Sequence, residues 1–106
     1  MPLNVKRIGC VVVALALTAV GSPSARADED SLVRSARDLG FGVSAVNVLS
    51  IGQSACYFLS RNRDPGQVAD HIKRYGNVDW DSARRFLDLS VQEYCPQYGD
   101  RVAVLG

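Results

Sequence analysis

The sequence predicts an all-α fold, a small bundle of about four helices linked by one disulfide, Cys56–Cys95, and preceded by a cleavable signal helix. Apolar residues recur three and four positions apart through most of the chain, which is the period of amphipathic helices. Asp, Ser, Pro and Gly punctuate this pattern at helix boundaries. No alternating apolar and polar segment indicates a strand.

Residues 1–27 have the three parts of a secretory signal peptide. A basic start is followed by the apolar run Ile8–Val20 and then by small residues, with Ala25 and Ala27 at the expected cleavage site. The run is shorter than the roughly 17–25 residues that a membrane-spanning helix needs. We therefore expect cleavage after Ala27, release to the cell envelope or the medium, and no stable membrane span afterwards. A retained membrane anchor is the alternative.

The charge that remains after this segment argues against nucleic-acid binding. All 11 acidic residues follow Ala27, whereas Lys6, Arg7 and Arg26 among the 12 basic residues precede it. The remainder is slightly acidic, and binding to phosphates depends on a surplus of Lys and Arg. We expect no nucleic-acid partner.

Cys56 and Cys95 are the two cysteines that follow the signal segment. An exported chain with an even number of cysteines favours a disulfide between them. A domain this small also gains much from a covalent link, because it buries a modest share of its surface. Two free, buried thiols are the alternative.

The first two helices follow from spacing and caps. Asp28-Glu29-Asp30 suits a helix N-terminus, and Gly40 can end that helix. The second helix is predicted from the cap Ser44 to about Arg61, and Leu39–Ser60 holds no charged residue. We expect it to be the central helix, with a narrow polar face and an apolar face opposite to it. The polar face consists of Asn47, Ser50, Ser54 and Arg61. The apolar face consists of Ala45, Leu49, Gly52, Cys56 and Leu59.

Gly52 calls for an explanation, because glycine costs about 1 kcal/mol in a helix relative to alanine. It precedes Cys56 by one turn on the same face, so we expect it to let a neighbouring backbone approach for the disulfide. A helix kink is the alternative.

The third and fourth helices have similarly clear ends. Asp64-Pro65 opens the third with a cap and a first-turn proline, and Gly76 is expected to end it. Asp79 or Asp81 caps the fourth, and Pro96 follows its end. Their predicted apolar stripes are Val68, Ala69, Ile72 and Tyr75 in the third helix, and Trp80, Ala83, Leu87, Val91 and Tyr94 in the fourth.

The domain is thus expected to span residues 28–96, and residues 97–106 are predicted to be a mobile C-terminal tail. A terminal strand added to a partner is the alternative for this segment. The second and fourth helices should run in the same direction, which brings their cysteine-bearing halves together. Gly52, Trp80, Tyr94 and Pro96 are the residues to which we assign structural roles.

Three patterns in the sequence resemble one family. Gly52-x-x-x-Cys56-x-x-Leu59, Ala83-x-x-Phe86 and Ser90-Val91-x-x-Tyr94-Cys95-Pro96 are similar to the DUF732 family of small secreted actinobacterial proteins, common in mycobacteria. The resemblance covers about Asp30 to Pro96. It implies a helical, disulfide-linked, exported domain, and it brings no catalytic residues.

The residue types that carry chemistry are sparse. His71 is the only histidine, predicted to lie at the surface, and no nucleophile motif accompanies it. Asp79-x-Asp81 lacks the later residues of a calcium loop, and oxidised cysteines leave no zinc ligands. We expect neither catalytic residues nor a metal or bound cofactor.

The expected function is therefore non-enzymatic: an exported module that binds a protein or an envelope component of unknown identity. The alternative is a small carrier of an apolar ligand or haem held between the helices, for which His71 or a tyrosine such as Tyr75 could ligate iron.

Overall fold

The computed structural model describes residues 28–106, and these form helices, turns and loops without a strand. The predicted signal peptide, including Ala25 and Ala27, lies outside the described residues. Helix α1 covers residues 28–38. The later elements are α2 (Ala45–Ser60), α3 (Pro65–Gly76), α4 (Trp80–Tyr94), a 3₁₀ turn (Pro96–Tyr98) and the short α5 (Gly99–Ala103).

The helix starts are those that the sequence predicts. The Ser44 hydroxyl accepts a hydrogen bond from the Asn47 backbone N–H, and the Asp64 carboxylate accepts one from Gly66. For α4 the structure selects Asp79, whose side chain accepts from the backbone N–H of Ser82. Each cap satisfies a donor that the first turn leaves without a partner.

The end of α1 sets the direction of the following loop. Gly40 has a φ of +100°, and the Phe41 N–H bonds back to the carbonyl of Ala36. The Arg37 guanidinium donates to the carbonyls of Phe41 (2.9 Å) and Val43, which fixes the loop. As a result the Phe41 ring points into the core, where it is 2% exposed.

Helix α4, not α2, is the centre of the bundle. It packs against α2, α3, the 3₁₀ turn and α5, and it shares two surface grooves with α1. Ala45, which we expected on the buried face of α2, is exposed. The largest fully buried side chains come from several elements: Phe41, Val48, Leu59, Val68, Ile72, Phe86, Leu87, Ser90 and Val91.

The disulfide is formed as predicted. Cys56 and Cys95 are bonded with a Cα–Cα distance of 6.0 Å across a sequence separation of 39. One turn earlier, Gly52 faces Ser90 and Tyr94 of α4. Gly52 precedes Cys56 in α2, and the residues that Gly52 faces precede Cys95 at the end of α4. Helices α2 and α4 therefore run in the same direction.

Gly52 lies where a neighbour approaches closely. A Cβ at this position would lie 3.0 Å from Ser90 Oγ and 3.3 Å from Tyr94 Cε2. The contact is with side chains of α4 rather than with its backbone, which refines the expectation. Helix α2 continues through Gly52 to Ser60.

Gly76 ends α3, as the sequence predicts. It is the last helical residue and is buried, whereas Asn77, with a φ of 56°, takes the left-handed position beyond it. The reason for glycine is the Phe41 ring: a Cβ on Gly76 would lie 2.4 Å from Phe41 Cε2.

Two aromatic residues expected in the core are on the surface instead. Trp80 is 40% exposed and Tyr75 is 57% exposed. Trp80 is the first residue of α4, before the helix enters the core, and Gly76 takes the inward position next to Tyr75. The prediction that Trp80 is a core residue is therefore wrong.

The prediction of a mobile tail is also corrected. Pro96 begins the 3₁₀ turn, and α5 buries Val102 to 5% exposure. The Arg101 guanidinium donates to the carbonyl of Leu59 at 2.7 Å and to that of Arg63 at 2.8 Å. These bonds tie the C-terminal segment to the end of α2.

No helix within residues 28–106 is long and apolar enough to cross a bilayer.

Candidate binding site

A groove of about 320 Å³ lies between α2 and α3 and is open to solvent. It is lined by Asn47, Ser50, Ile51, Ser54, His71 and Tyr75. Its volume is at the lower end of the range found for small-molecule sites. We call this space the α2–α3 groove.

The α2 wall of the groove is polar but carries no charge. Asn47 and Ser50 are exposed and Ser54 is half-buried, so an amide and two hydroxyls can reach a ligand. Each of these groups both donates and accepts hydrogen bonds. The charge-free segment Leu39–Ser60 explains why no carboxylate or ammonium group from α2 competes with them.

Four neighbouring rings form a row, and two of them, His71 and Tyr75, line the groove. The centroid distances are 5.8 Å from Tyr57 to Phe58, 4.8 Å from Phe58 to His71 and 4.4 Å from His71 to Tyr75. Tyr57 is 60% exposed. We call these four residues the aromatic row. Exposed tyrosine rings of this kind combine a large contact area with a polar hydroxyl.

His71 lies at the middle of the row and is neutral at pH 7. Desolvation by its neighbours lowers the pKa of the imidazole, and the positive charges of Arg74 and Arg63 lower it further. The groove therefore presents uncharged donors and acceptors from both helices near neutral pH.

Charged residues begin beyond His71. A second depression of about 500 Å³ also includes His71 and is lined by Arg63, Asp64, Gly66, Gln67, Asp70, Arg74 and Trp80. Arg74 lies 3.6 Å from Asp70, and Arg63 lies over the Phe58 ring at 5.2 Å. Both guanidinium groups thus already contact a neighbour.

Four of the residues with predicted structural roles lie at the contact between α2 and α4 rather than in the groove, whereas Trp80 lines the second depression. Gly52, Cys56 and Cys95 mark the interface with α4, and Tyr94 borders the same interface. The sequence predicts the narrow polar face of α2 but assigns no function to it. The sequence feature that points to this groove is a polar helix face without charged residues. The position of α3 is needed to recognise that face as one wall of a groove.

Tyr94 links the interface to α1. Its hydroxyl donates to Glu29 Oε2 at 2.8 Å. Desolvation raises the pKa of Tyr94 to about 12, and the hydrogen bond to Glu29 contributes to this rise. The phenol is thus held in its protonated form in the folded protein.

This shift predicts a pH dependence of stability. The folded pKa exceeds the unfolded value of about 10, so the stabilisation is complete below pH 10 and is lost as pH rises through about 12. Tyr94→Phe should remove this part of the alkaline loss. Urea unfolding at several pH values tests it, with Tyr57→Phe as the exposed control. An unchanged alkaline slope in Tyr94→Phe would contradict the assignment.

Residues 28–106 contain no group of three or more His, Cys, Asp or Glu side chains that could hold a metal ion. The residues that line the α2–α3 groove can form hydrogen bonds and ring-stacking contacts.

The fold defines a class: a small, disulfide-linked helical domain with an open groove between two of its helices. The chain belongs to the DUF732 family, described as "Protein of unknown function (DUF732)", whose model matches residues 27–97. The match begins next to the predicted cleavage site and ends just after Cys95. No curated protein and no solved structure matches the chain.

Proposed function

We propose that this protein is a non-enzymatic binding module of the cell envelope or the medium, and that the α2–α3 groove with its aromatic row is the binding surface. The aromatic row is the observation that carries the proposal. Exposed rings cost free energy in water unless a partner covers them, and Tyr57 and Tyr75 are both more than half exposed. The secretory character of residues 1–27 supports the compartment.

The rest of the domain supports a scaffold role. The disulfide joins α2 to the end of α4, and Arg101 fixes the C-terminal end of α2. Helix α2 is thus held at its carboxyl half by a covalent bond and by hydrogen bonds. A wall held in this way loses little conformational entropy when a ligand binds.

The alternative function, a carrier of an apolar ligand or haem, has one observation in its favour. His71 and Tyr75, both able to ligate iron, lie side by side with centroids 4.4 Å apart. However, the groove they face has Ile51 as its one aliphatic lining residue, and the interior between the helices is filled by residues such as Phe86 and Leu87. The binding module is therefore the better supported function.

Site-specific photocrosslinking in the exporting cells tests the proposal. A photoreactive phenylalanine at position 75 should form a defined adduct, because this ring borders the groove. The same group at position 92 is the control, since Gln92 is exposed on α4 beside α1. Equal or absent adducts at the two positions would contradict the assignment of the groove.

A further inference from the structure

We infer that the ligand of the α2–α3 groove is a neutral glycan, bound by stacking on the aromatic row and by hydrogen bonds to the α2 wall. This inference rests on the proposed function and names the chemical class of its ligand.

The rings provide the first step. A pyranose ring has a face of C–H groups, and these carry a small positive charge that is attracted to the negative face of an aromatic ring. Tyr57 and Tyr75 lie towards opposite ends of the row and leave much of their surface free. They can therefore contact two parts of an extended saccharide.

The polar wall provides the second step. Sugar hydroxyls donate and accept hydrogen bonds, and so do the side chains of Asn47, Ser50 and Ser54. These three residues lie three and four positions apart, along one face of α2. Their spacing follows the length of the groove.

The absence of charge on this wall provides the third step. A uronate or phosphate would be expected to meet a free guanidinium or ammonium group, and the α2–α3 groove contains neither. His71 is neutral at pH 7, so it adds a further uncharged donor or acceptor. The groove thus matches a ligand that is polar and neutral.

A peptide fits the same surface less well. An amphipathic helix would need an apolar groove, and an extended peptide would need a free strand edge. Here Ile51 is the one aliphatic side chain that lines the groove, and it is 8% exposed. The described residues contain no strand.

The open shape favours a chain over a single sugar. The α2–α3 groove and the second depression both include His71, so one end of a saccharide in the groove can extend past the imidazole. The two arginines of the second depression contact Asp70 and the Phe58 ring, so they do not call for an anionic ligand. Trp80 also lines this depression, is 40% exposed and offers a further stacking surface.

The test is an NMR titration of the full-length, oxidised protein with maltotriose, cellotriose and mannotriose at millimolar concentration, and with trigalacturonate as the charged comparison. Backbone amide signals of residues 47–54 and 71–75 should move with at least one neutral trisaccharide and less with trigalacturonate. Movement with trigalacturonate alone, or no movement with any saccharide, would overturn the inference.

Variants make the test specific. Tyr75→Ala should weaken the saccharide affinity on the order of tenfold, as expected for loss of one stacking contact, whereas Tyr75→Phe keeps the ring and most of the affinity. Gln92→Ala should leave the affinity unchanged. Equal affinities of Tyr75→Ala and the unmodified protein would overturn the role of the row.

The two proposals fail in different ways. Position-specific crosslinks from residue 75 without any saccharide shift would overturn the glycan and leave the groove as the binding surface. Saccharide shifts confined to residues outside the groove would overturn both.

Discussion

Removing the disulfide should lower the free energy of unfolding by about 4 kcal/mol. Cys56 and Cys95 close a loop with a sequence separation of 39, and in the loop-entropy model a crosslink of that length restricts the unfolded chain by this amount. Small domains are stable by about 5–15 kcal/mol, so the loss is a large share of the total.

The double variant Cys56→Ala and Cys95→Ala is the appropriate change, because Cys95 is 3% exposed and alanine leaves no buried thiol. Urea unfolding of the oxidised protein and of the variant gives the difference. Adding a reductant should destabilise the oxidised protein. The same reductant should leave the stability of the double variant unchanged, so the variant serves as the control. A difference below about 1 kcal/mol would contradict the stabilising role of the bond.

Replacing Gly76 by alanine should destabilise the protein by about 2 kcal/mol, although alanine is the better helix former. The new Cβ would lie 2.4 Å from Cε2 and 2.9 Å from Cδ2 of Phe41. The Phe41 ring has little room to move, since it is 2% exposed and lies 4.6 Å from the Phe86 centroid.

Gly99→Ala is the matched control. Gly99 is also a helical glycine, with a φ of −55°, and a Cβ there would meet nothing within 4 Å. Its replacement should be neutral or slightly stabilising. If both variants unfold at the same urea concentration as the original protein, the close contact between Gly76 and Phe41 does not constrain the core.

Local features of the sequence were sufficient for the helix starts and for the disulfide. Ser44, Asp64 and Asp79 cap helices through bonds to residues two or three positions away, so the signal is contained in a short segment. The pairing of Cys56 with Cys95 follows from the predicted export and from the even number of cysteines after the signal segment. These predictions required no knowledge of how the helices are placed.

Features that depend on distant packing were not predictable in the same way. Helical spacing puts both Tyr75 and Gly76 near the inner face of α3, and the Phe41 ring decides that Gly76 is the inward residue. Similarly, the sequence predicts a mobile tail over residues 97–106, whereas the structure has α5 in this segment. It is held by Arg101 and Val102 against residues far away in sequence.

The α2–α3 groove could be predicted from the sequence only in part. The polar face of α2 is visible in the sequence as Asn47, Ser50 and Ser54, but a polar face on a helix is ordinarily solvated. Only the position of α3, which places His71 and Tyr75 opposite this face, turns it into a candidate site.

The central claim is that the α2–α3 groove is the functional surface of this domain. The most direct test is the ratio of crosslinked adduct formed from position 75 to that formed from position 92, measured in the same exporting cells. Our account predicts one adduct of defined mass from position 75 and a background level from position 92. Equal yields at the two positions, or a higher yield from position 92, would contradict it.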